Sequence, residues 1–453
     1  RQRMGFSNSP RQLRNLILTL PSAMPGQERE IFRRRMQEAI ALVWKALGWH
    51  PQDEDFETAQ GKRQSRIPVP HIHMEWDEAS CGQLVWLYNE AMVHFRGQTE
   101  ACFKSFARND RQPEPGEAPG RTLRVASIDI GGGTTDMAIT RYSLDDGVGS
   151  NVKISPNLLF REGFKVAGDD LLLDIIQRCV LPALQVDLQK AGVADASALL
   201  GTLFGDSGRM DTQAILRQQT TLQLLMPLGH AILQAWEESD PADEMAGLYA
   251  SVGDLLTRQP SVNVMNYLNQ AIALALPADA SAYDLFAAPL QIRFSELQEQ
   301  MFAGKFSLCA PLHALCEVIS HYRCDVLLVT GRPGCLPGVQ ALIRHLQPVP
   351  VSRMVWLEKY EVHEWYPFSK QGRVGNPKST AAVGAMLCAL ALDLRLPRFN
   401  FKAADIGAYS TVRYLGVLDN ESNILRDENI WYRDINLDNP GEKLNAKLYF
   451  PLR

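Results

Sequence analysis

Apolar positions along the chain form short runs, set among longer stretches with helical spacing. Residues 16–20 are a short apolar run that reads as a strand, followed by a Pro-rich turn, residues 21–25, and a helix over residues 27–47. Ile31, Ala39, Leu42, Val43 and Leu47 supply that helix's apolar face, and Arg33, Arg34 and Arg35 its solvated one. Residues 49–66 are polar and predict a loop. Residues 67–75 read as a strand, and Asp77 stands where it would cap a helix reaching Phe106. A Pro/Gly-rich stretch, residues 109–120, has the composition of a linker. Strands follow at 125–128 and 137–140, joined by a glycine turn, and further ones at 152–154 and 158–160, before a helix over 171–184. Residues 185–305 are mostly helical, with breaks at 205–208 and 276–279. A helix over 311–321 leads to residues 326–329, wholly apolar as in a buried parallel strand, then a Gly-rich turn and a helix to His345. Residues 356–368 are aromatic and strand-like, 378–394 are helical with a small face (Ala381, Ala382, Gly384, Ala385), and 399–453 alternate as several short strands.

Composition narrows the class. At 453 residues and 46% apolar content the chain can bury a large core and form two or more domains. A net charge of −5 without a long Lys/Arg tract argues against a nucleic-acid partner. No apolar run reaches the 18 or so residues of a membrane span, and the opening R-Q-R-M-G-F-S-N lacks a signal core. The expected location is therefore cytoplasmic, with secretion to a host left open. Eight cysteines, never as C-x-x-C, predict buried thiols. Both termini read as cut from a longer chain.

Candidate chemistry concentrates in R-V-A-S-I-D-I-G-G-G-T-T-D-M-A-I-T, residues 124–140. A buried strand delivers Asp129 to Gly131, Gly132 and Gly133, followed by Thr134, Thr135 and Asp136. Glycines let the backbone bend sharply and approach a ligand, and successive N–H groups in such a bend form a concavity suited to phosphate. Asp129 would hold a metal-bound water or orient an attacking one. Glu75, Asp77 and Glu78 cluster at a strand-to-helix junction, where they are either capping and solvated or a second acid. His71 and His73 alternate on one strand without a third ligand and read as structural. Arg217, Gln218 and Gln219 are either a solvated helix face or a contact for a base.

The bend from Asp129 to Asp136 resembles the second phosphate motif of the actin, DnaK and sugar-kinase ATPase superfamily, in its DnaK and FtsA versions. Other segments match in order over residues 16–394. L-T-L-P-S-A before a charged helix is similar to the V-T-V-P-A segment, and Ala167-Gly168-Asp169-Asp170 to G-G-E-D, although N-capping explains those acids equally well. Thr330-Gly331-Arg332-Pro333-Gly334 with Gly338 resembles the adenosine motif. Here Arg332 and Pro333 replace glycines, which either crowds the ligand or lets Arg332 stack on a base or bind a phosphate. Asn376-Pro377 and its helix are similar to the helix that returns to the first lobe. Residues 76–88, W-D-E-A-S-C-G-Q-L-V-W-L-Y, and residues 401–434 look like the SrfB virulence-factor family.

These resemblances imply an α/β, two-lobed actin-like ATPase fold with ribonuclease H-like subdomains. Residues 11–120 would form a first lobe lacking its first strands, 121–184 and 306–377 the second, and 185–305 a helical insertion. Residues 378–398 would return to the first lobe, and 399–453 would be a β-rich extension. They further imply ATP and Mg²⁺ as cofactors. Asp129 and either Asp77 or Glu78 would be catalytic, and Gly131, Gly132, Gly133, Thr134, Thr135, Gly168, Gly331, Arg332 and Gly334 would hold the nucleotide. Hydrolysis would act as a conformational switch. The first phosphate motif and the catalytic Lys of some relatives have no counterpart, beyond a similar D-I-G-A-Y-S-T run at residues 405–411 that is either a permuted copy or coincidence. A non-hydrolysing scaffold acting through protein partners, among them the missing part of its own chain, is the main rival. A small-molecule kinase ranks last, for want of a sugar site.

Overall fold

Residues 122–130, T-L-R-V-A-S-I-D-I, are buried at all but one position, which a strand achieves only when both faces of its sheet are covered. The computed structural model describes residues 12–21, 24, 26–51, 65–113, 117–205, 212–406, 414–417 and 426–432. In chain order, β1 (Asn15–Ile17), α1 (Gly26–Ala46), β2 (His71–His73), α2 (Glu78–Tyr88) and α3 (Thr99–Phe106) precede the strands β3 (Thr122–Ile130), β4 (Thr135–Leu144) and β5 (Lys153–Phe164). Next come α4 (Gly168–Ile175), α5 (Leu181–Lys190), α6 (Ala196–Phe204), α7 (Thr212–Thr220), α8 (Met226–Glu238), β6 (Gly247–Ser251), α9 (Val262–Ala275), β7 (Pro289–Arg293), α10 (Phe294–Phe302) and α11 (Cys309–His321). The chain continues with β8 (Val326–Thr330), α12 (Pro337–Leu346), β9 (Met354–Trp356), α13 (Ser379–Leu392), β10 (Asn400–Phe401), β11 (Leu415–Gly416) and β12 (Ile430–Tyr432).

The fold is mixed α/β around one six-stranded sheet of order β10-β5-β4-β3-β8-β9. β3, β4 and β5 form an antiparallel meander, while β8 lies parallel to β3 and β9 parallel to β8. Side chains alternate across a strand. Leu123 and Val125, with Val326 and Leu328, face a core shared with Trp76, Leu84 and Leu87 at α2 and Cys388 on α13. Ala126, Ile128 and Ile130, with Leu327 and Val329, face the larger core built with the helices from α4 to α12. Asp129 has the parity of Val125, so it emerges on the α2 side.

Two devices seat α2. A Cβ on Gly384 of α13 would lie 1.9 Å from the Cys81 carbonyl, so the α2–α13 crossing exists only because that residue is glycine. Buried Gln83 donates to the Ser127 hydroxyl (2.8 Å) and the Ala138 carbonyl (3.0 Å) and accepts from the Tyr142 hydroxyl (2.7 Å), stitching α2 to the β3–β4 hairpin.

Several expectations change. The helix predicted from Asp77 to Phe106 breaks at Arg96 and Gly97, both with positive φ, and its middle turn widens, Phe95 N–H reaching back to Glu90. The strand over 67–75 shortens to β2, since Pro68 and Pro70 lack the N–H a ladder needs. The face Ile31, Leu42, Val43 and Leu47 of α1 is exposed; Ile40 and Trp44 are the buried pair, because the parallel β1–β2 pair beneath covers only a narrow stripe. The stretch 109–120 is pinned rather than free, with the buried Glu117 carboxylate on Arg111 (2.5 Å) and Arg124 (2.8 Å). Beyond β9, residues 357–368 form short 3-10 turns with a single antiparallel bridge, Glu361 to Arg373, instead of a strand, and the helical insertion contains the antiparallel β6–β7 pair. All eight cysteines are buried and free. Most of residues 49–66, most of the break at 205–208, most of 405–411 and much of the C-terminal stretch lie outside the described residues.

Candidate functional site

Asp129 is the penultimate residue of β3, level with Asp136 on β4 and Thr330 on β8, so three strand ends meet at one point of the sheet edge. The glycine bend closes with Gly131 N–H donating to the Thr134 carbonyl (2.8 Å). Its other carbonyls are held from α4, where Gly168 N–H donates to Gly131 (3.0 Å) and Asp169 N–H to Gly132 (2.8 Å). Among the described residues, the N–H groups of Gly132, Gly133 and Thr134 meet no protein acceptor. Gly132 and Gly133 are exposed.

From the other side the turn after β8 abuts the bend. Gly331 has φ +85°, and a Cβ there would lie 2.0 Å from the Ile130 carbonyl and 2.8 Å from an Asp129 carboxylate oxygen. One on Gly168 would lie 3.1 Å from Pro333. Glycine is required at 331 by conformation and by space together.

In front of both turns opens a cleft of about 660 Å³. Its lining includes the acids Glu78, Asp129 and Asp169 with the bend glycines Gly131 and Gly132, apolar side chains such as Leu171, Leu233 and Leu336, and the basic side chains of Arg332 and Lys378. Burial first, then the Glu78 and Asp136 carboxylates, push the Asp129 carboxyl up to about 7. Glu78 is likewise raised, by burial first and then by Asp136 and Asp77. Thr134 donates to Asp136 (2.9 Å).

A family model described as Virulence factor SrfB matches residues 1–453. The chain belongs to the SrfB family. No curated protein matches it. The run 76–88 of this SrfB chain is α2 with its cap, the helix whose first turn reaches the cleft.

The three acids of the SrfB junction separate. Asp77 caps α2, accepting from Ser80 N–H (2.8 Å), and forms a fully buried ion pair with Arg161, outside the cleft lining. Glu75 points to His73 at 3.5 Å, and Glu78 alone lines the cleft. Thr135 is buried, its hydroxyl on the Val166 carbonyl (2.7 Å). Gly133, Thr134 and Gly334 belong to the two turns but stand outside the lining, and Gly334 is buried against Val329. Asp170 caps α4 through Ala167 N–H (2.8 Å).

Residues that sequence reasoning passed over complete the SrfB cleft. His230, Leu233, Gln234 and Glu237 share one face of α8 at helical spacing, whereas Arg217, Gln218 and Gln219 stand elsewhere on α7. The spacing on α8 was legible, but which helix of the insertion meets the sheet edge was not. Lys378, just before α13, is a cation in the cleft with no side-chain partner among the described residues. Among those residues no group of three or more His, Cys, Asp or Glu can hold a metal ion, His71 and His73 included, and no helix is long and apolar enough to cross a membrane.

Proposed function

We propose that this SrfB-family, virulence-associated chain binds ATP with Mg²⁺ in the cleft beside Asp129, as an actin- and DnaK-like ATPase whose bound nucleotide sets a conformational switch. The observation that carries this reading is the shared cleft: a glycine bend, whose Gly132 N–H meets no acceptor among the described residues, and a strand–turn–helix with an obligatory glycine open onto one space. About 660 Å³ is in the range of small-molecule sites.

The residues present suit the ligand. Mg²⁺ takes one or two carboxylates together with substrate phosphates rather than a full protein cage, and Asp129 and Glu78 are two carboxylates lining the cleft. Once bound, the ion would neutralise phosphate charge and order an attacking water. Gly132, which lines the cleft and whose N–H meets no acceptor among the described residues, would donate to a phosphate oxygen. Asp129 would hold the ion through water, and Glu78, rather than Asp77, would be the second acid. Leu171, Leu233 and Leu336 would keep bulk water from the bound ligand.

Calorimetric titration of Mg²⁺·ATP tests this. The expected result is binding to the chain, with at least a tenfold loss in Asp129→Ala; no binding at millimolar ATP overturns it. A second reading, a non-hydrolysing scaffold, is favoured by the Gly131 N–H being taken within the bend and by Arg332 being held by Glu237. Nucleotide binding without turnover would select it.

A further inference from the structure

Arg332 departs from a turn packed closely on the end of β3 and on the start of α4, with Gly331 against Ile130 and Asp129 and Pro333 against Gly168. Its side chain nevertheless lies away from the bend, with Nε donating to Glu237 Oε2 of α8 at 2.7 Å. This ion pair is open to solvent, with side chains 61% and 23% exposed. It stands where the cleft meets a smaller polar chamber of about 360 Å³ that holds Lys370 and Glu358. The helix turn that carries Glu237 is held in place. The neighbouring Trp236 is buried, and a Cβ on Gly338 of α12 would lie 2.4 Å from the Trp236 ring, so that end of α8 is anchored.

The charges lining the cleft sharpen the point. Among the described residues that line the cleft, Glu78, Asp129, Asp169 and Glu237 stand with two basic side chains, Arg332 and Lys378. An anion entering such a cleft gains most from whichever cation can move. Exposed ion pairs are weak, whereas a guanidinium fork on phosphate makes strong, charge-assisted hydrogen bonds.

We propose that Glu237 holds Arg332 aside and that Arg332 exchanges this carboxylate for a phosphate group of the ligand when it binds, so that Glu237 sets affinity by competition. This rests on the nucleotide reading above and adds the residue pair that regulates the site.

A double-mutant cycle read by Mg²⁺·ATP calorimetry tests it, with adenosine as a phosphate-free control. Glu237→Gln is expected to tighten Mg²⁺·ATP about two- to fivefold, the factor that a weak exposed pair can withhold. Arg332→Gln should weaken it about tenfold or more. In the double variant the Glu237 effect should vanish, since its target is gone, and adenosine binding should follow none of these changes. Thermal midpoints of the ligand-free variants report folding. If the wild type binds and Glu237→Gln leaves affinity unchanged or lowers it, or acts equally without Arg332, this proposal is overturned while the nucleotide reading stands. If the wild type binds no Mg²⁺·ATP, both fall.

Discussion

Asp129 is a carboxyl group kept where an ionised one is costly, beside two further carboxylates at the end of a buried strand. With a folded pKa of about 7 against an ordinary value near 3.9, it stays protonated on folding at mildly acidic pH. Between about pH 4 and 7 the unfolded chain has lost this proton and the folded chain still holds it. Stability from this group therefore falls as pH rises through that window, by up to about 1.4 kcal/mol per pH unit, and the loss is complete above pH 7. Asp129→Asn is isosteric and does not ionise. Its melting temperature should gain on the wild type from pH 4.5 to 7.5 and hold that gain at higher pH; a difference independent of pH would contradict the assignment. The same residue would hold the metal, so a carboxyl that weakens the fold at neutral pH is what a cation would relieve. Asp77 is the opposite case. Read as a possible second acid from its place in W-D-E, it is a capping group in a buried ion pair, and nothing in its neighbours along the chain distinguishes it from Glu78.

Among the elements, α2 decides where the acids fall. Its sequence is apolar nearly all round, and every residue from Ala79 to Leu87 is buried, which only a helix clasped between a sheet and a second helix sustains. The second helix is α13, and their closest approach is Gly384 against the Cys81 backbone. Gly384→Ala must push the two helices apart, because the obstacle is a carbonyl and not a side chain that could swing aside. We expect a loss of about 2–3 kcal/mol, at the upper end of overpacking, seen as a lower midpoint in urea with an unchanged slope. An unchanged midpoint would mean the crossing is looser than described. The small face of α13 was legible as four small residues in a row of turns. That Gly384, and not one of the three alanines, is the point of contact depends on the crossing, which no local pattern contains.

Across the whole molecule, the cleft joins distant parts of the chain: the bend after β3, the first turn of α2, α8 from the insertion, the turn after β8 and the start of α13. A ligand filling it ties these parts together. Mg²⁺·ATP should raise the melting temperature progressively with concentration, by the equivalent of about 2.7 kcal/mol at a hundred times its dissociation constant, and adenosine without phosphates should do so less. Equal stabilisation by both would place recognition away from the glycine bend.

What the amino-acid order determined by itself is local. The run of glycines at 131–133 marks a turn between two strands, and Gly331 specifies a bend outright, because its φ of +85° and the Ile130 carbonyl 2.0 Å from a Cβ there admit only glycine. The unbroken apolar run of β8 specifies a strand covered on both faces, and β3, though interrupted by Arg124 and Ser127, is apolar enough to read as a buried strand. What only the tertiary structure decided is which polar groups meet. Glu78 rather than Asp77 at the cleft, α8 rather than α7 beside the ligand space, Lys378 as a cation there, and Arg332 held by Glu237 across 95 residues of chain all follow from how helices cross a sheet edge. A polar residue on a helix surface carries the same local signature whether it faces water, a partner or a cleft, and long-range packing alone assigns it to one of them.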